Sequence, residues 1–169
     1  MLTAEARVAE PEVVIAVNEW LIKRNVLPYC FSIARGSGID NRAARDRLET
    51  LYAKTGFRPS FVSSGPDVLA TSDEEEWAVE CKGSGEGKGP THRNNFDRAL
   101  ASTVSYYGYK GLGQSACSHL GLALPTTRAY LRQLRERVKR PLRARLNLWL
   151  LLYDPAECRI HAVPPDMDP

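Results

Sequence analysis

The chain has 169 residues, 43% of them hydrophobic and 25% charged, with a net charge of only +3. That length suits one domain with a proper hydrophobic core, and that balance belongs to a soluble globular protein. So small a net charge excludes a partner argued from total charge alone, and leaves partners to be read from how the charge is distributed. The N-terminal stretch MLTAEARVAEPEVV has no basic region followed by an apolar one, so no secretory signal is expected. The longest strongly apolar run, Leu146 to Tyr153, is too short to cross a bilayer, so no membrane partner is expected. Cys30, Cys81, Cys117 and Cys158 are widely spaced and form no C-x-x-C pair. Buried free thiols in a reducing cytoplasm fit them better than a zinc site or a disulfide framework.

Four stretches read as helices. The first runs from about Pro11 to Arg24, with Pro in its first turn and Val13, Val17, Trp20 and Leu21 on one face. The second runs from about Asn41 to Lys54, capped by Asp40, striped by Ala44, Leu48, Leu51 and Tyr52, and ended by Gly56. The third starts near Asn95 and stops at Gly108, gathering Phe96, Ala99, Leu100, Val104 and Tyr107. The fourth starts near Thr127 and ends before Pro141, with Tyr130, Leu131, Leu134 and Val138 on its apolar side. Strands are expected at Pro59 to Ser64, Val68 to Thr71, Trp77 to Lys82, Leu146 to Tyr153 and Arg159 to Val163. The fourth of these is apolar on both faces, as a central strand is, and Asp154-Pro155 makes the turn that follows it. The order predicts one α/β domain over residues 1–169, with a mixed central sheet flanked by helices.

The chemistry concentrates in one hairpin. Ser72-Asp73-Glu74-Glu75 is a polar run that can only turn, and it separates Gly65-Pro66-Asp67 from Glu80-Cys81-Lys82. With the turn centred between Asp73 and Glu74, Asp67 faces Glu80 across the two strands, with Cβ atoms about 5 Å apart. Side chains alternate along a strand, so Glu80 and Lys82 share a face and Cys81 points away. Two facing carboxylates repel unless a cation lies between them. Hard oxygen ligands suit Mg²⁺, with Mn²⁺ as its natural substitute. Such a metal lowers the pKa of a bound water and stabilises charge on a phosphate. Lys82 can orient or deprotonate the water or stabilise the charged phosphorane, and desolvation beside a metal lowers a lysine pKa, which favours the base role.

Gly65-Pro66-Asp67 followed by Glu80-Cys81-Lys82 resembles the signature of the PD-(D/E)xK nuclease superfamily. The element order from about Asn41 to Val163 resembles that family's restriction-endonuclease-like α-β-β-β-α-β core, with the 11–24 helix as an addition. The resemblance implies that Asp67 and Glu80 hold Mg²⁺, that Lys82 serves the attacking water, and that the substrate is DNA. The family often adds an acid from a helix before the first strand. Glu49 is the preferred candidate and Glu19 the other, and a solvated helix glutamate is the ordinary reading of either. Some relatives carry a glutamine on the helix after the lysine strand, shortly before a tyrosine; Ser102 stands there in this chain, ahead of Tyr106-Tyr107. Nucleases of this size often act with a second copy or a partner, so a homodimer or partner protein is a further expectation.

The glycine-rich stretch Gly83 to Gly89 fails the spacing of a phosphate-binding loop. It reads as a mobile connector beside the site that, with Lys88, His92 and Arg93, can touch a nucleic-acid backbone, or equally as a solvated flexible linker. Arg128, Arg132, Arg135, Arg137, Lys139, Arg140, Arg143 and Arg145 are eight cations against one acid, Glu136. Arg128, Arg132, Arg135 and Lys139 follow the spacing of one helical face, for which solvation is the default explanation, while eight clustered cations in a nearly neutral chain favour a polyanion. His92, His119 and His161 lack metal-ligand spacing. The sequence therefore predicts a Mg²⁺-dependent DNA nuclease. The alternatives are a non-cleaving nucleic-acid-binding protein on the same fold, and a plain α/β protein in which Asp67 opens a turn and Glu80 pairs with Lys82.

Overall fold

The computed structural model describes residues 7–32, 39–53, 55–56, 58, 60–62, 64–84, 89–109, 112–114 and 116–169. In chain order the elements are α1 (Glu10–Lys23), β1 (Leu27–Phe31), α2 (Ile39–Ala53), β2 (Ser60–Phe61), β3 (Val68–Thr71), β4 (Glu76–Cys81), α3 (Gly89–Ser105), β5 (Ser118–Pro125), α4 (Arg128–Arg137), α5 (Arg140–Leu146), β6 (Leu148–Asp154) and β7 (Arg159–Val163). One seven-stranded sheet runs in the order β2-β1-β3-β4-β5-β6-β7. The strands β4, β5 and β6 are mutually parallel, while β3 and β7 flank them antiparallel. Among the described residues no helix is long and apolar enough to cross a membrane.

The two faces of the sheet bury separate apolar clusters. On one, α1 and α2 bring Val13, Val17, Leu21, Leu48 and Tyr52 onto Phe31, Val68, Trp77, Val79 and Cys81. On the other, α3, α4 and α5 bring Phe96, Ala99, Tyr130, Leu134 and Leu146 onto Ala78, Leu120, Leu122, Leu148 and Leu150. Alternation along β4 explains the split: Trp77, Val79 and Cys81 face α1, while Ala78 faces α3. The helix α1 is therefore part of the core. At the amino ends of the parallel strands, Trp77 packs edge-on against Trp20 with ring centroids 5.2 Å apart and lies 5.3 Å from Trp149. The buried His119 fills this cage 4.5 Å from Trp77, its Nδ1 accepting from Trp149 Nε1 at 3.2 Å. Burial pushes its pKa down.

Several expectations change. The strands β1 and β5 lie outside the expected set. Leu27-Pro28-Tyr29-Cys30-Phe31 contains a proline and a register shift between Pro28 and Cys30. In β5 every residue is buried, so no alternation exists to be seen, and glycine, alanine and leucine mask its strand character. The helix α3 starts six residues before the expected Asn95, and Val104 and Tyr107 of its expected apolar set are exposed; Thr103 is buried in their stead. The expected fourth helix is two. The non-helical Val138 (φ −111°, ψ 68°) ends α4, and Pro141 opens α5 instead of closing its predecessor. Asp40 falls inside α2, which begins at Ile39. Of the four free thiols only Cys30 and Cys81 are buried; Cys117 and Cys158 are exposed.

Candidate active site

The hairpin has the register that the sequence predicts. Val68 pairs with Val79, Leu69 with Ala78, Ala70 with Trp77 and Thr71 with Glu76. Its turn is closed by Ser72 N–H donating to Glu75 O at 2.8 Å, while Ser72 Oγ accepts from the backbone N–H of Glu74 and Glu75. One residue beyond the ladder, the same register sets Asp67 opposite Glu80. Asp67 is held there by its own side chain, since Oδ2 accepts from the backbone N–H of Cys81 at 2.7 Å. The sharp approach to Asp67 uses Gly65 at φ +103°, a conformation that suits glycine.

Glu80 is fixed from the opposite direction by the end of α3 and the first residue beyond it. Tyr106 donates its hydroxyl proton to Glu80 Oε2 at 2.7 Å, and the Ser102 hydroxyl also hydrogen-bonds this carboxylate. Ser102 and Tyr106 are four residues apart, so one helical face delivers both. The position that the resemblance reserves for glutamine thus carries a hydroxyl that reaches the same acid.

Lys82 leaves the sheet beside Glu80 and ends on a residue that sequence reasoning missed: its Nζ lies 2.7 Å from Glu10 Oε2. Glu10 opens α1, and a backbone staple brings that helix end to the end of β4. Ser84 N–H donates to Val8 O at 2.9 Å, and Val8 N–H donates to Ser84 Oγ at 2.9 Å. Gly83 makes the approach feasible, because a Cβ there would lie 2.6 Å from Glu10 N and 2.6 Å from Val8 O. Tyr130 of α4 clamps the turn, donating to Gly83 O at 2.8 Å. Glu10 sits seventy residues before Glu80, next to Pro11 in a first turn where acids are common for capping reasons alone, so only the staple identifies it.

The electrostatics follow from burying these groups together. Burial first, then the Glu80 charge, pushes the Asp67 pKa up to about 8, with Glu10 adding to it; the Cys81 N–H and Lys82 oppose the rise. Burial and Glu10 also raise Glu80, against the Tyr106 hydrogen bond and Lys82. For Lys82 burial works against the charge, but Glu10, Asp67 and Glu80 overcome it and the pKa is raised. Without metal, the lowering by burial is outweighed by a carboxylate in direct contact, and Lys82 stands as an ammonium. The donor set fits a hard divalent cation. A carboxylate has about four lone-pair sites, of which Asp67 spends one on Cys81 and Glu80 spends two on Tyr106 and Ser102. A cation between them would offset the burial that raises both pKa values and the Glu80 charge that further raises Asp67.

The remaining expected residues lie elsewhere. Glu49 is exposed on α2 and Glu19 lies 3.8 Å from Arg47, so the acid that joins Asp67, Glu80 and Lys82 is Glu10 in place of either. Lys88 lies outside the described residues, and Arg93 is exposed on α3. Arg128, Arg132 and Arg135 are exposed along α4, with Arg132 3.9 Å from Glu136. Lys139 falls beyond the helix, at the start of α5, and its Nζ donates to Arg135 O at 2.6 Å. Arg143 leaves the cationic set altogether. Its side chain is fully buried and donates to Pro164 O and Met167 O, pinning the C-terminal segment. Arg137 pairs with Asp97 and lies over the Phe96 ring. A second gathering of ligand types, Asp154, Glu157 and His161, sits on the β6–β7 hairpin. There Arg159 pairs with Glu157 at 2.5 Å and donates to His161 at 3.3 Å, so the group is a surface ion network. Compared with family models, curated proteins and solved structures, the chain matches none.

Proposed function

We propose that the chain is a Mg²⁺-dependent nuclease that hydrolyses DNA phosphodiester bonds, on a core like that of the restriction endonucleases. The observation that carries this reading is the facing pair of half-buried Asp67 and buried Glu80 at the carboxyl end of β4, with both pKa values raised and Lys82 beside them. A fold has no structural need for such a pair, since two buried carboxylates cost stability unless a cation joins them. Asp67 and Glu80 would hold Mg²⁺, which supplies an acidified water and charge stabilisation on the phosphate.

The chain's own groups then divide the work. The Cys81 N–H fixes Asp67, and Tyr106 with Ser102 fixes Glu80, so neither carboxylate swings away when a substrate enters. Lys82, kept protonated by Glu10, offers a cation to the developing negative charge on the scissile phosphate, a role that needs no loss of its proton. The exposed cations of α4 supply a non-specific attraction for the DNA backbone. Supercoiled plasmid incubated with Mg²⁺, Mn²⁺ or EDTA tests the reading, with Glu80→Gln as the control. Cleavage that needs the metal and disappears in Glu80→Gln is expected. No cleavage with either metal, together with no gain in melting temperature from them, overturns it.

A further inference from the structure

A cleft of about 360 Å³ opens between α1 and α2, lined by Arg7, Arg47, Glu12, Ala9, Pro11 and Ala43 among others. Its size falls within the range of small-ligand sites, which is roughly 300–1,000 Å³. Two guanidinium groups and one carboxylate line the cleft, and Glu12 Oε2 accepts from Ala9 N–H at 2.8 Å. Arg47 is two-thirds exposed, and its pairing with Glu19 is loose at 3.8 Å. Guanidinium forks match phosphate oxygens in geometry as well as charge. The alanine and proline walls suit an uncharged, flat appendage such as a sugar or base.

The position of the cleft ties it to the acid pair. Ala9 and Pro11 line it, and the residue between them is Glu10, whose side chain turns the other way to meet Lys82. The charges of Glu12 and Arg47 act on Tyr153, near the end of β6. Asp67, Glu80 and Lys82 gather at the same end of β4, which runs parallel to β6 through β5. Ligands of open α/β sheets lie beyond the carboxyl ends of the parallel strands. The cleft and the acid pair are thus neighbours on that one edge, separated by the first turn of α1.

From this arrangement we infer that the cleft between α1 and α2 binds a phosphate group of the nucleic acid, with Arg47 and Arg7 as its ligands, at a position next to the cleaved bond. The inference rests on the nuclease reading for the identity of the polyanion. Two sources share the chemistry: a terminal phosphomonoester and an internal phosphodiester.

Binding measured by fluorescence anisotropy in EDTA separates these sources without any cleavage. The probes are a twelve-nucleotide thymidine strand with a 5′-phosphate, with a 3′-phosphate, and with hydroxyls at both ends. Arg47→Ala is expected to weaken binding about tenfold, and Arg47→Lys to restore part of the loss. Ala43→Trp, which fills the cleft without touching its charge, should weaken binding like Arg47→Ala. A preference for one phosphorylated end that vanishes in Arg47→Ala assigns the cleft to a terminal phosphate. An equal loss on all three probes assigns it to an internal one. Wild-type affinity for all three probes in folded Arg47→Ala and Ala43→Trp overturns the inference. Binding that depends on Arg47 in a protein that cuts nothing with any metal would instead refute the nuclease reading and leave the cleft standing.

Discussion

Asp67→Asn removes one charge from the acid pair and keeps the shape and the acceptor for the Cys81 N–H. In the folded protein Asp67 keeps its proton up to about pH 8, whereas its ordinary value is 3.8. Between those two values the folded state binds more protons than the unfolded one, so stability falls as pH rises through that window. The window spans about four pH units at about 1.4 kcal/mol each, which sets an upper bound of about 6 kcal/mol on the loss. A loss of even 2 kcal/mol lowers the Tm of a chain this long by about 4–8 °C. Metal-free wild type should therefore melt progressively lower from pH 5 to pH 8, and Asp67→Asn should flatten that slope and melt higher at pH 8. Mg²⁺ should restore wild type at pH 8, by about 2.7 kcal/mol at a hundredfold excess over its Kd, and should do little for the variant. Differential scanning calorimetry at four pH values, with and without Mg²⁺, measures all of this. Equal pH slopes in the two proteins, or a variant that melts lower at pH 8, would refute the reasoning and make Asp67 a structural turn residue.

Lys82→Ala should abolish cleavage yet keep the thermal gain from Mg²⁺, because the carboxylates remain; Glu10→Gln should lower the Lys82 pKa by removing its neighbouring anion, a shift that NMR of the lysine ammonium reads directly. Gly83→Ala places a Cβ 2.6 Å from the backbone of Glu10 and Val8, so a loss of about 1–3 kcal/mol is expected, as for other overpacked sites, and wild-type melting would refute the close approach. Replacing Arg128, Arg132 and Arg135 together by Ala should weaken DNA binding without regard to sequence. The slope of log K against log salt should also fall by about 0.9 for each phosphate that is no longer neutralised, whereas an unchanged slope means that this face is only solvated.

The hairpin was legible because its turn and its alternation are local: Ser72 to Glu75 fixes the centre, and the register of Asp67 and Glu80 follows from counting. The strands β3 and β7 came out with the expected ends for the same reason. What failed was non-local. The strand β5 is buried on both faces, so its pattern has no period, and β1 carries a proline and a register shift between Pro28 and Cys30. Glu10 reaches the site through backbone bonds between Val8 and Ser84, which no local pattern announces. Glu49 had the expected position along the chain, but its side of α2 faces solvent. Arg143 reads as one more surface cation until the C-terminal carbonyls that it serves are seen.

All three tryptophans of the chain sit in the cage around His119. They come from α1, β4 and β6, and they lie at the end of the sheet remote from the acid pair. Intrinsic tryptophan emission is therefore a reporter of whether α1 is docked, and it is blind to events at Asp67 and Glu80. A titration with metal followed at tryptophan wavelengths will look silent even when every site fills. Tyr106, hydrogen-bonded to Glu80, is the chromophore that senses the carboxylates, so ultraviolet difference absorption near the tyrosine band is the optical window onto this centre.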